Sequence, residues 1–184
     1  MRIPERKFVL KDGREAVLRC AEETDAEAML EYLYVTAGET EFIIRYPEEC
    51  GKYTAEGEAK WIRGCNGDPR GVMLVCTVDG KLAGNCEINF SKAIKTRHRG
   101  TIGIALIKEF WGLGIGTEMF RAMTEVAEAD EYCEQMELDF VEGNSRARAL
   151  YEKAGFRIAG IHPDAIRLKD GTYRNEYLMI RKVK

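Results

Sequence analysis

Residues 110–120 read "FWGLGIGTEMF", with glycine at alternate positions Gly112, Gly114 and Gly116, and they join a strand-like run, "TIGIALI", to a helical one. A helix that starts directly after a strand leaves about four backbone N–H groups unpartnered, at the positive end of its dipole. Glycines there leave the amides open, and each amide given to an anionic oxygen contributes about 1.5–3 kcal/mol. Such a junction suits a phosphate or pyrophosphate; the bland alternative is a turn without a ligand. Two familiar loops are excluded by spacing. No lysine follows Gly116, as a P-loop needs, and Thr117 stands where the dinucleotide fingerprint has its last glycine.

The strands before the loop point the same way. "VMLVCTV" and "KLAGNCEINFS" flank Asp79-Gly80, a dipeptide suited to a tight hairpin turn, and "TIGIALI" follows the basic link "KAIKTRHRG". The middle of the chain therefore reads as a three-stranded antiparallel meander ending near Ile107, whereas both excluded loops belong to parallel sheets.

Upstream, "EAVLRCA" reads as a first strand. Thr24 to Glu27 reads as a capping box opening a helix to about Val35, and a second helix covers about Ala55 to Arg63. The mixed segment Gly38 to Tyr53 is the natural place for substrate selection, together with His162 to Asp170. Downstream, Met119, Met123, Val126 and Ala127 share a helical face and "QMELDFV" alternates as a strand. Asn144 or Ser145 caps a short helix ending at Gly155, and "FRIAGI" and "TYRNEYLMIRKV" close the chain as strands. These elements assemble as α/β, a mixed and mostly antiparallel sheet with helices on both faces, in one domain over residues 1–184.

Composition narrows the function. A net charge of −3, from 28 basic and 31 acidic side chains, gives no footprint for nucleic acid or an anionic membrane. The six cysteines form no Cys-x-x-Cys pair and several lie in apolar runs, so they read as buried thiols in a reduced compartment, without metal. The charged start lacks a signal-peptide core and no apolar run reaches the ~20 residues of a membrane span, so the expected location is cytoplasmic.

Two blocks carry a resemblance. Trp111 to Gly116 is similar to Gln/Arg-x-x-Gly-x-Gly/Ala, and "VEGNSRARALYEKAGF" to Asn-x-x-Ala-x-x-Leu-Tyr-x-x-x-Gly-Phe through Asn144, Ala147, Leu150, Tyr151, Gly155 and Phe156. Both are signatures of the Gcn5-related N-acetyltransferase (GNAT) superfamily, and the chain resembles its bacterial ribosomal-protein and small-amine branches most. Trp111 departs from the usual Gln or Arg. The resemblance implies acetyl-coenzyme A as cosubstrate, no metal, an amine acceptor and a cofactor slot where "TIGIALI" and "QMELDFV" splay apart; a homodimer is compatible with it. Backbone groups of Ile104, Ala105 and Leu106 would pair with the pantetheine arm. Amides of Trp111, Gly112, Leu113, Gly114, Ile115, Gly116 and Thr117 would hold the pyrophosphate, and Asn144 would bond the arm from the other side, besides capping its helix.

The chemistry asks for a base, because a lysine-like amine is neutral in only roughly one molecule per thousand at pH 7. Asp139 and Glu87 are the carboxylate candidates, each with a salt-bridged or solvated surface role as its plain alternative. Tyr151 is the expected donor to the leaving thiolate, or else an amphipathic core residue. His98, between two arginines, reads as an exposed loop residue, with proton acceptance or the binding of an acidic substrate as its alternative, and Glu142 has no assigned task. Direct acetyl transfer to a primary amine (small amine, amino acid or protein N-terminus) leads. The alternative is a non-catalytic acyl-coenzyme A sensor, and a nucleotide-phosphate binder trails for want of the lysine.

Overall fold

Asp79 and Gly80 both take positive φ, 50° and 76°, and turn the chain between β3 (Val72–Val78) and β4 (Lys81–Phe90). A computed structural model describes residues Met1–Lys184 and extends this hairpin into one eight-stranded sheet. On one side β3 pairs β2 (Glu15–Cys20), which pairs the short β1 (Arg6–Val9). On the other, β4 pairs antiparallel with β5 (Arg99–Leu106), completing the expected meander. β6 (Gln135–Val141), β8 (Tyr173–Lys182) and β7 (Arg157–Arg167) follow, giving the order β1-β2-β3-β4-β5-β6-β8-β7. All neighbours are antiparallel except β5 and β6.

Alternation of side chains on the strands builds two cores. Leu74, Cys76, Cys86 and Ile88 point to the face covered by α3 (Ile115–Ala129) and α4 (Ser145–Lys153), in a cluster of 28 buried residues. Met73 and Val75 point to the opposite face, where α1 (Ala26–Glu39) and α2 (Ala55–Gly67) bury a smaller cluster of 9. α3 buries Met119, Met123, Val126 and Ala127, the stripe its periodicity predicts.

Three local expectations are corrected. Thr24 is not the first cap: a short 3₁₀ turn over Glu23–Asp25 precedes α1, and the Asp25 carboxylate receives the Glu22 N–H at 2.8 Å and the Arg19 guanidinium at 2.7 Å. The arginine on the adjoining strand selects Asp25 over Thr24. α1 runs on to Glu39 and α2 to Gly67, because both pack on the sheet beyond their clear periodic signal. β1 escapes the pattern because its "RKFV" is a half-exposed edge strand. No helix is long and apolar enough to cross a membrane.

Candidate active site

β5 and β6 pair in parallel only at Arg99–Gln135, Gly100–Met136 and Thr101–Glu137, clamped by an Arg99–Glu137 ion pair of 2.7 Å. Beyond that point β5 stays paired to β4 and β6 to β8, but not to each other. Each strand thereby leaves one backbone edge open, a shape that admits an extended ligand arm as an added strand. A cleft of about 290 Å³ begins at the parting, lined by Ile104, Ala105 and Leu106 on one strand and by Asp139, Phe140 and Val141 on the other.

The glycine loop closes one end of this cleft. Gly112 and Gly114 have φ of 79° and 107°, a conformation other residues adopt at a cost of about 1–2 kcal/mol. Gly116 is glycine for another reason: a Cβ there would lie 2.7 Å from Leu150 Cδ2, so its bareness lets α4 pack against the start of α3. Seven amides were expected to face the anion. The Trp111 N–H instead donates to Lys108 O at 3.1 Å and the Thr117 N–H to Gly114 O at 3.1 Å, as the 3₁₀ turns at either side close. The amides between them, Gly112 to Gly116, have no partner within the protein, and Gly114 caps α3 without a side-chain bond. This run presents free amides at a helix start, an arrangement whose chemistry suits an anion.

Cations missed in the sequence surround it. Lys11 and Arg146 line the cleft, Lys11 ties the β1–β2 turn to the loop through its N–H to Leu113 O at 3.1 Å, and Arg146 lies 5.2 Å over the Trp111 ring. Trp111 itself explains its departure from the motif: its indole Nε1–H donates to Leu106 O at 2.8 Å, pinning the loop to the end of β5. One lone pair of that carbonyl is thus taken, and Ala105 turns its own N–H and C=O toward β4, opposite Asn85, which leaves the Ile104 backbone and the Leu106 N–H as the open part of the expected pantetheine edge.

Across the cleft, Asn144 caps α4, its Oδ1 accepting from Ala147 N at 3.2 Å, which leaves its NH₂ group free to donate. The Tyr151 ring is held edge-on between Phe120, 5.5 Å away, and Phe140, 5.9 Å away, and its hydroxyl makes no bond within the protein. Burial pushes this phenol up to about 12, so it stays protonated at neutral pH. Asp139 lines the same cleft, its carboxyl raised by partial burial and by the charges of Glu176 and Glu137.

Glu87 is elsewhere. It lines a second cavity, of about 570 Å³, between the sheet and α1, α2 and the Gly38–Tyr53 segment. Its side chain lies over Gly103, where a Cβ would come within 3.3 Å of Oε1, and burial raises its carboxyl above the ordinary carboxylate range. Asn85 stands beside it, its Oδ1 accepting from the Tyr32 hydroxyl at 2.8 Å. The two cavities share Ile43, Ile104 and Ala105, so they meet where β5 leaves β6. The structure thus groups Tyr151, Asp139 and Asn144 with the glycine loop, and sets Glu87 on the other side of the junction.

The remaining residues are accounted for. His98 precedes β5 at the end away from the cleft, its carbonyl accepting from Glu134 N and Gln135 N. Glu142 pairs with Asn175. Of the two segments expected to select substrate, Gly38–Tyr53 supplies Ile43, Arg45, Lys52 and Tyr53 to the second cavity. His162–Asp170 lines neither cavity and braces that segment from outside, through Lys169 N to Tyr46 Oη at 3.0 Å and a Lys169–Glu48 ion pair.

A mostly antiparallel sheet with one parted parallel strand pair, a glycine loop and a helix-start cradle defines a class, that of GNAT acyltransferases. Residues 16–157 match the acetyltransferase (GNAT) domain, and the chain belongs to this N-acetyltransferase family. It is 27% identical over 109 residues to the L-amino acid N-acetyltransferase AaaT of Escherichia coli (strain K12), a match covering 59% of this chain and 67% of that one. It is 26% identical over 171 residues to YdaF of Bacillus subtilis (strain 168), provisionally named a ribosomal N-acetyltransferase, covering 91% and 88%. The fold is shared, at a TM-score of 0.78 and 19% identity, with a phosphinothricin acetyltransferase from Sinorhizobium meliloti solved with acetyl-coenzyme A; 91% of this chain and 88% of that one are covered.

Proposed function

We propose that the protein transfers an acetyl group from acetyl-coenzyme A directly to a primary amine, with both substrates bound at once. The observation that carries this reading is the meeting of two cavities at Ile104 and Ala105, one with an anion cradle and a strand-like edge, the other with a raised carboxylate. The cleft residues fit the cofactor: the amides of Gly112 to Gly116, with Lys11 and Arg146, suit the pyrophosphate, and the open edge at Ile104 and Leu106 with the Asn144 amide suits the arm. Bound there, acetyl-coenzyme A supplies an activated thioester carbonyl carbon.

The chain's own groups manage the protons. Glu87 accepts the proton that the acceptor nitrogen must shed, and Tyr151, protonated and buried, donates toward the departing sulfur. Asp139, in the cofactor cleft, is the second base candidate. A cytoplasmic setting belongs to this reading, and the six free cysteines, five of them buried, agree with it. Acceptors worth testing are small amines, amino acids and a protein N-terminus, since the relatives' names divide between amino-acid and ribosomal substrates.

The test is to follow free thiol while the protein meets acetyl-coenzyme A and an amine panel of those three kinds. Thiol release that requires an amine is the expected result. Coenzyme A binding with no release from any amine would instead support an acyl-coenzyme A sensor.

The base has its own signature. Both the acceptor amine and Glu87 must be deprotonated, so log(kcat/KM) should climb with a slope near two below the Glu87 pKa and near one above it. Glu87→Gln should lower the rate at neutral pH by roughly 10²-fold and leave a slope near one throughout. A slope of two that persists in this variant would transfer the role to another group, Asp139 first.

A further inference from the structure

The acceptor-side cavity contains a carboxylate that the proton transfer above does not use. Glu58 lies on α2 at the head of a stripe formed with Ile62 and Cys65, and this stripe faces the sheet. An apolar residue would be the ordinary choice there. Glu58 is nonetheless only 6% exposed, lines the cavity, and has an Oε1 that is buried without any hydrogen-bond partner. Its carboxyl is raised by burial, less so for the nearby charge of Arg45, and raised further by that of Glu87. A buried carboxylate oxygen without a donor is costly, and the cost is removed by a ligand that brings an N–H.

The cations of the same cavity do not bond to it. The Arg45 guanidinium lies 6.0 Å and the Lys52 ammonium 5.4 Å from the centre of the Tyr53 ring, and neither forms an ion pair with Glu58 or Glu87. Met29, Leu33, Ile43 and Ala105 give the same cavity apolar lining, beside the polar groups of Tyr32 and Asn85. A zwitterionic acceptor would answer Arg45 and leave the Glu58 oxygen unpaired. An amine with a second cationic nitrogen at the end of a short apolar chain answers it directly.

We propose that Glu58 determines acceptor specificity by receiving a second ammonium group, so that the preferred acceptor is a short diamine whose other nitrogen reacts beside Glu87. This rests on the acetyl-transfer reading for the position of the reacting nitrogen, and on the Glu58 geometry for the distal one.

The full chain, with saturating coenzyme A, is titrated calorimetrically with a series of short α,ω-diaminoalkanes and the matching monoaminoalkanes. Wild type should bind the best diamine about tenfold or more tighter than its monoamine. Glu58→Gln, which keeps the shape and removes the charge, should bring that ratio close to one, and Glu58→Asp should restore part of it. An equal affinity for both series in wild type, or a ratio unchanged in Glu58→Gln, overturns the proposal. So does a Glu58→Gln loss equal for monoamines and diamines, which would place Glu58 on the reacting nitrogen. Thiol release, read in parallel, separates the two levels. A Glu58-dependent diamine preference without release would overturn acetyl transfer and keep the site, whereas release without such a preference would do the reverse.

Discussion

Gly114→Val should weaken coenzyme A binding by about 10²-fold or more. The residue holds φ of 107° at the start of α3, and its neighbours on both sides contribute unpartnered amides. A β-branched residue is driven out of that conformation, and in relaxing it turns about two of the unpartnered amides away from the anion, at about 1.5–2 kcal/mol each. Together these correspond to roughly two to three decades in dissociation constant. Calorimetric titration with coenzyme A measures it, and a shortened ligand without the diphosphate supplies the control. If valine weakens both ligands equally, the loop does not hold the diphosphate.

Tyr151→Phe should lower kcat by roughly 10²- to 10³-fold while the KM for acetyl-coenzyme A changes by no more than about threefold. The ring packing against Phe120 and Phe140 survives in phenylalanine, so the fold and the cleft wall are kept and only the hydroxyl is removed. That hydroxyl has no partner in the protein, which makes a purely structural role for it weak. Because burial keeps the phenol protonated up to about 12, the donor function should hold through the neutral and mildly alkaline range and fail only above it. A steady-state comparison of the two proteins checks this, and an unchanged kcat would remove Tyr151 from the chemistry.

The two variants act on different halves of the same cleft. The loop variant should lose ground-state binding and the tyrosine variant turnover. Their separation in KM and kcat therefore reports whether the cradle and the donor are independent, as their positions on α3 and α4 suggest.

Much of this was legible before any coordinates. The Asp79-Gly80 turn, the alternating strands, the α3 stripe and the Asn144–Gly155 helix are local, since each depends on residues within one or two turns of chain. So was the glycine loop, because positive φ and a helix start are written in neighbouring residues. The parting of β5 and β6 came only from family resemblance, since strand pairing joins residues that are far apart in sequence and no local pattern records where it stops.

What tertiary structure decided is the partnership of side chains across elements. It divided the three glycines into two that bend the chain and one that admits Leu150. It spent the Trp111 and Thr117 amides inside the loop, and it gave the Trp111 indole to Leu106. It placed Asp139 and Glu87 in different cavities, though both had looked equally suited to the base. It also buried Glu58 without a partner, on a stripe where the sequence shows only a charged residue in an ordinary helix. The sequence by itself determined the elements and the glycine loop at the start of α3, because those follow from local backbone preference and apolar periodicity. Which polar group faces which cavity depends on how the elements pack, and burial, the largest influence on the carboxyls and the phenol, exists only after packing.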